Sequence, residues 1–334
     1  MKVCIYGAGA IGGWMGSGLS AAGCDVSVVA RGQTLAALNA HGLRLQRGTG
    51  HTEITTTERI KASTNPADLG VQDLVVVSVK APALPAVAAS LAPLLGPDTV
   101  VLTAMNGVPW WFLHGFGGAL AGRQLASVDA GGHIARAVPA DQVIGCVVHA
   151  SCSVDAPGVV RHHFGNKLII GEPSGRITPR VQALAALLEK AGFEAPVSPQ
   201  IQHDIWFKLW GNMTVNPISA LTGATTDLIL ADPLVLGLVS SIMQEAKTIG
   251  AQLGIHIDQQ PEDRHAVTRQ LGAFKTSMLQ DVEAGKALEL DALVASVREL
   301  GVLTGVATPF TDALLGLARL QGSVRGLYGI TPML

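Results

Sequence analysis

The chain has 334 residues, 48% hydrophobic and 14% charged, and its 23 basic and 25 acidic residues leave a net charge of −2. That balance excludes a basic arm for a polyanion, so no nucleic-acid partner is expected. The longest charge-free run, residues 99–122, contains Asn106, Gly107, Pro109, His114, Gly115, Gly117 and Gly118, whereas a spanning helix needs about 20 mostly apolar residues; no membrane partner is expected. The start, Met1-Lys-Val-Cys-Ile-Tyr6, runs straight into a glycine turn, which is not the pattern of a secretory leader. Cys4, Cys24, Cys146 and Cys152 are scattered with no CxxC pair and read as reduced thiols of a cytoplasmic protein. The length favours two domains.

In chain order, Lys2–Tyr6 is a β-favouring run, followed by Gly7-Ala8-Gly9-Ala10-Ile11-Gly12, a small-residue helical stretch ended by Gly23, and a second strand at Asp25–Val29. Strand, glycine turn, helix and strand within about 30 residues form the βαβ unit of a dinucleotide-binding fold. The first glycine permits the tight turn, the second lets a pyrophosphate approach the backbone, and the third lets helix and strand pack closely. The helix N-terminus then offers N–H groups and a positive dipole end to the phosphates. Gly7, Ala8, Gly9, Ala10, Ile11 and Gly12 are therefore cofactor-binding candidates. An acid after the second strand would bind the ribose of NAD. Here the residues are Ala30-Arg31-Gly32-Gln33, and a guanidinium suits a 2′-phosphate, so NADP (NADPH) is the expected cofactor.

Asp73–Val79 is a near-continuous apolar run, as a central parallel strand requires, and it ends at Lys80. Thr99–Thr103 is a further strand, followed by Ala104-Met105-Asn106-Gly107. Lys80 and Asn106 thus follow the C-terminal ends of strands, the edge at which open α/β sheets bind ligands. Residues 142–153, 158–163 and 168–171 read as antiparallel or mixed strands, and 179–191 as a helix. From Ile201 the pattern turns helical, over 201–214, 233–253, 265–283, 290–304 and 309–320. The expected organisation is an α/β Rossmann-type dinucleotide-binding domain over 1–198 and an all-α domain over 199–334. The histidines, including His162-His163, show no metal-ligand spacing, so no metal is expected.

Lys208, Asn212 and Asn216 recur every four residues and fall within about 80° of one helix face. Trp206, Leu209, Trp210 and Met213 lie between them, and no acid occurs from Ile205 to Thr226. A solvated helix face would mix acids with its lysines. The stripe reads instead as a polar site in which Lys208 donates a proton or a hydrogen bond to a carbonyl oxygen. The helix is expected to end at Asn216, ahead of Pro217. Farther on, Ser277 and Glu289 are twelve apart and would differ by about 120° on one helix, with Gly285 expected to break it. Taken alone, these two residues read as a helix surface and an N-terminal acid.

The combination of Gly7-Ala-Gly-Ala-Ile-Gly12, Lys80, Asn106-Gly107, Lys208-x3-Asn212-x3-Asn216-Pro217 and Ser277-Met-Leu-Gln-Asp281 with Glu289 resembles the ketopantoate reductase (2-dehydropantoate 2-reductase) family, over essentially the whole chain. The resemblance implies a Rossmann domain and a helical domain with substrate in the cleft between them. It implies stereospecific reduction of a 2-keto acid by NADPH, 2-dehydropantoate to pantoate, a step of pantothenate and coenzyme A synthesis. It gives Lys208 the role of general acid and Glu289 that of an acid ordering the site. Asn212, Asn216 and Ser277 correspond to substrate-binding positions, and Asn106 and Lys80 to positions lining cofactor and cleft. The chain departs from the family pattern at Met105, where Gln is common, and at Thr226, where a further Asn is common. Pro109-Trp110-Trp111-Phe112 is either core or a pocket wall for a bulkier keto acid. Two rivals stand beside this reading. One is a related two-domain NAD(P)-dependent dehydrogenase acting on a different keto or 3-hydroxy acid. The other is a noncatalytic NADP-binding sensor, which has no need of Lys208 or Glu289. The apolar helical half is compatible with a homodimer.

Overall fold

A parallel sheet covered on both faces needs strands that are apolar along their whole length. Val3–Tyr6 and Leu74–Val77 meet that requirement, and Val26–Val29 does so but for Ser27, every residue of them being buried. The protein, seen in a computed structural model, is described over residues 1–48 and 52–329. It packs as two compact units: Met1–Met105 with Gly132–Asp204, and Asn106–Gly131 with Ile205–Leu334.

In the first unit, nine strands among the described residues form one mixed sheet. They are β1 (Lys2–Tyr6), β2 (Asp25–Val29), β3 (Leu43–Arg47), β4 (Ile54–Glu58), β5 (Lys61–Ser63), β6 (Leu74–Val77), β7 (Val100–Thr103), β8 (Val143–Ala156) and β9 (Val159–Gly171). Their order is β4-β3-β9-β8-β7-β6-β1-β2-β5. β1 lies parallel between β2 and β6, so the glycine turn after β1 emerges at the centre of the parallel part. Helices α1 (Ala10–Ala21), α2 (Gly32–His41), α3 (Leu84–Ala88), α4 (His133–Ala137) and α5 (Pro179–Lys190) complete the unit. The small residues of α1 let it press on the sheet: Ile5, Met15, Leu19 and Leu43 are all fully buried in a shared core. This is the Rossmann-like α/β architecture expected. Two details differ. Residues 158–163 and 168–171 are one strand, β9, paired antiparallel with β8 through register shifts near His149–Cys152 and Val154–Ala156. Those irregularities interrupt the alternation that sequence reading relies on. The β3–β4 hairpin and α2 had no clear periodic signature.

The second unit holds α6 (Ile201–Thr222), α7 (Thr226–Ala231), α8 (Pro233–Gln252), α9 (Pro261–Arg269), α10 (Ser277–Glu283), α11 (Ser296–Thr304) and α12 (Pro309–Val324); the first four residues of α6 lie in the first unit. A π-helical turn, Asp291–Ala295, leads into α11. The helical domain is as expected, but it also takes in residues 106–131, which their position in sequence assigns to the sheet. The reason is burial: Trp110, Trp111 and Phe112 are all buried, and Phe112 packs on Trp206 with ring centroids 5.9 Å apart. The aromatic cluster is therefore core. The helix expected to stop before Pro217 continues to Thr222. Proline removes one backbone donor, yet Ile218, Ser219 and Ala220 beyond it are buried, and packing holds the last turn. The helix expected over 265–283 is two helices, α9 and α10, with Gly272 at φ +62° between them. Among the described residues no helix is long and apolar enough to cross a membrane, and none of the four cysteines is in a disulfide.

Candidate functional site

In the first unit the chain leaves β1 through Gly7, whose φ is +100°. The Ser78 hydroxyl donates to the Gly7 carbonyl at 2.9 Å and braces the turn. A Cβ at Gly12 would lie 2.2 Å from both the Gly7 carbonyl oxygen and Ser78 Oγ, so no larger residue fits there. A Cβ at Gly9 would meet nothing within 4 Å, which leaves open space beside the backbone. Gly9 is also the N-cap of α1, with no side-chain cap and no acid in the first turn. Space, uncapped N–H groups and the helix dipole together fit the phosphates of a dinucleotide. Arg31 is exposed at the N-cap of α2, at the end of β2. Among the described residues its guanidinium has neither a hydrogen bond nor an ion pair, and it is free to take a phosphate. Lys80, half-buried, begins the 3-10 turn Ala81–Ala83 after β6.

The second unit brings together residues far apart in sequence. The Lys208 ammonium on α6 donates to Asn106 Oδ1 at 2.8 Å, across 102 residues. An ammonium can only donate, so Asn106 must present its oxygen to Lys208 and its NH2 donors elsewhere. Asn106 therefore stands with the lysine, a pairing the sequence did not reveal. Gly107 next to it has φ +86°, and the Val108 N–H donates to the Ala292 carbonyl at 2.8 Å. The turn thus docks on the π-helical turn that begins two residues after Glu289. Glu289 itself is buried. Asn212, half-buried, and Asn216, buried, follow Lys208 along α6. Neither side chain has a hydrogen-bond partner among the described residues, which leaves their amides for a ligand. Ser277 is the exposed first residue of α10, whose N-cap is Thr276.

Two other positions resolve differently. Thr226 is buried, donates to the Gly272 carbonyl at 2.6 Å and accepts from the Phe274 N–H at 3.3 Å, so its hydroxyl is spent inside the fold. Arg264 on α9, which sequence reading passed over, lies against α6: its Cζ is 5.5 Å from the centroid of the Phe207 ring. Nothing short-range marks it, because its neighbours in space are more than fifty residues away in sequence.

Comparison with known proteins finds one family over both halves of the chain. A family model described as ketopantoate reductase PanE/ApbA matches residues 3–175, and the C-terminal model of the same family matches residues 200–321. A Mesorhizobium japonicum protein named 2-dehydropantoate 2-reductase is 46% identical over 98% of this chain and 100% of its own. A crystal structure of a Ralstonia solanacearum protein is 54% identical, covers 98% of this chain and 99% of that one, and superposes with a TM-score of 0.92. A dimeric ketopantoate reductase from Staphylococcus aureus, 20% identical over 98% of this chain and 100% of that one, shares the fold with a TM-score of 0.75.

The contact at Gly107 can be separated from its backbone conformation. A Cβ there would lie 2.5 Å from the Ala292 carbonyl oxygen, whereas Gly254, with the same φ of +86°, has nothing within 4 Å. Both alanine variants carry the strain of a left-handed residue, about 1–3 kcal/mol. Gly107→Ala is expected to lose about 1–3 kcal/mol more through overpacking, read as the difference between the two variants in urea unfolding.

Proposed function

We infer that this chain, which belongs to the ketopantoate reductase family, reduces a 2-keto acid to the 2-hydroxy acid with NADPH, taking 2-dehydropantoate to pantoate. The observation that carries the reading is the Lys208–Asn106 pair, a fixed cation in an otherwise uncharged stretch of helix. Family membership makes the chain an oxidoreductase dependent on a nicotinamide dinucleotide.

The Gly7–Gly12 turn and the N-terminus of α1 hold the pyrophosphate, Arg31 takes the 2′-phosphate, and Lys80 lines the same cofactor half. When bound, the reduced nicotinamide supplies the hydride that adds to C2 of the keto acid. Negative charge then grows on the ketone oxygen, and Lys208 stabilises it and delivers the proton. Asn106 orients the ammonium, so little reorganisation is needed as charge develops. Asn212 and Asn216 bind the substrate from α6, Ser277 binds it from α10, and Glu289 orders the site. Four cysteines outside any disulfide support a cytoplasmic location.

The protein also acts as a homodimer in this reading. Phe310, Leu317, Leu320 and Val324 form an exposed apolar stripe on α12 at near-heptad spacing, and the related Staphylococcus aureus enzyme is dimeric.

Three outcomes test these assignments. Oxidation of NADPH is expected with 2-dehydropantoate ahead of other 2-keto acids, and Lys208→Ala should lower kcat by about 10²–10⁴-fold while fluorescence titration shows unchanged NADPH affinity. Preferential oxidation of a 3-hydroxy acid would select the related dehydrogenase instead. Arg31→Ala should raise the KM for NADPH by about tenfold or more, the scale of one charge-assisted contact, with little change for NADH; an equal loss for both would remove Arg31 from the 2′-phosphate. Sedimentation should give a dimer that Leu317→Glu dissociates, and a wild-type monomer would end the dimer proposal.

A further inference from the structure

Arg264 is a charge with no visible reason to be where it is. It sits on α9, and its guanidinium is pressed onto α6 where Gly211 leaves a notch. A Cβ at position 211 would lie 2.7 Å from Arg264 Nε, 3.2 Å from Nη2 and 3.4 Å from Cζ. On the other side the guanidinium lies over the Phe207 ring, 5.5 Å from its centroid. Its Nε is buried with no hydrogen-bond partner, and among the described residues no carboxylate pairs with it. Burial holds its pKa below the ordinary arginine value. The acids of its own helix are directed elsewhere: Asp263 accepts from the Gln260 N–H, and Glu262 acts on His265.

A half-buried guanidinium with no counter-charge is costly unless an anion completes it, and its Nη groups, unlike Nε, are not among the buried unpartnered atoms. A purely structural role would be met more cheaply by an apolar side chain on Phe207. The placement indicates which anion. Gly211 is next to Asn212 in sequence and three residues after Lys208, about 60° round the helix from it, with side-chain origins about 5–6 Å apart at that spacing. A 2-keto acid carries its carboxylate on the carbon adjoining the ketone. A group that meets the ketone oxygen therefore needs a carboxylate receptor beside it, and planar guanidinium matches carboxylate in two parallel hydrogen bonds.

We propose that Arg264, seated in the Gly211 notch against Phe207, binds the carboxylate of the substrate and sets the preference for keto acids over uncharged ketones. This rests on the 2-keto acid reading given above, and the experiment separates the two. The wild type, Arg264→Met and Gly211→Ala are compared in steady-state reduction of 2-dehydropantoate and of its methyl ester. Oxamate, a nonreducible carboxylate, is titrated calorimetrically into each protein saturated with NADP. Arg264→Met keeps an unbranched stem reaching as far as Nε and removes the charge. Gly211→Ala keeps the charge and pushes the guanidinium out of its notch, in a mid-helix position where alanine is tolerated.

Both variants are expected to raise KM for the acid about tenfold to a hundredfold, the range of a hydrogen bond to a charged group. They should leave KM for NADPH within about twofold, bring acid and ester toward equal kcat/KM, and weaken oxamate binding. Arg264→Met should keep or raise Tm, because it removes an unpaired buried charge. An unchanged KM for the acid in both folded variants, or a Tm loss in Arg264→Met with acid preference intact, overturns the proposal and makes Arg264 structural. If the wild type reduces no 2-keto acid, the reaction reading fails. Oxamate binding then decides for Arg264: affinity lost in Arg264→Met retains it as a carboxylate site, and affinity equal to wild type overturns it.

Discussion

One backbone hydrogen bond, from the Val108 N–H to the Ala292 carbonyl, organises the polar centre of the helical unit. It meets the helix entering α11 where that helix is widened over Asp291–Ala295. In a π turn a carbonyl accepts from the N–H five residues on instead of four, as Asp291 does from Ser296. Ala292 O takes two donors, the Val108 N–H and the Ser296 hydroxyl. Gly107, with no side chain, lets the two backbones meet. Without that docking Asn106 would be a loop amide rotating at will. With it, Asn106 is a fixed acceptor for Lys208, and the segment carrying Glu289 is tied to the same turn.

The orientation of α6 is set by a second pair of contacts. The Trp206 indole donates to the Ala246 carbonyl at 3.2 Å, and the Trp210 indole to the Met243 carbonyl at 2.7 Å, both on α8. Residues 206 and 210 lie one turn apart on one face. Lys208 and Asn212 are two residues beyond each, about 200° round the helix. Pinning the indoles to α8 therefore turns Lys208 and Asn212 to the opposite side. Each bond contributes about 0.5–1.5 kcal/mol net, so the pair matters more for rotation than for stability. The same rotation places Gly211 and Phe207 side by side toward α9, where Arg264 meets them.

What could be read from the sequence was what local physics specifies. The glycine turn is legible because turn, close approach and helix start all act within a few residues of each other. The Lys208–Asn212–Asn216 stripe is legible because helical period alone puts the three on a face. The path past Pro217 was not legible: proline is unfavourable in a helix interior, and only the burial of the residues beyond it outweighs that cost. The break between α9 and α10 was hidden by a periodic pattern that continues across Gly272. The place of Asn106 after a strand marked it as a lining residue, but its pairing with Lys208, like Arg264 beside Gly211, had no local signal. Those pairings are contacts across 102 and 53 residues, and residue type alone did not favour Arg264 over other arginines in the chain.

The placement of residues 106–131 within the helical unit also shapes how the chain must be made. Its partners arrive late: Glu299 accepts from the N–H groups of Ala126 and Ser127 across 173 and 172 residues. At about 5–20 residues per second of synthesis, that separation is roughly 10–35 s. During this interval Trp110, Trp111 and Phe112, all buried in the finished protein, have left the ribosome without the helices that cover them. The sheet unit, whose strands run out by Gly171, can form first around a loop that is still apolar and uncovered. The contacts of residues 106–131 are completed late, when the π turn and α11 bring Ala292 and Glu299 to a segment made long before. Its assembly is therefore a vectorial problem of waiting, and an aromatic-rich loop in solution is the kind of segment that chaperones bind.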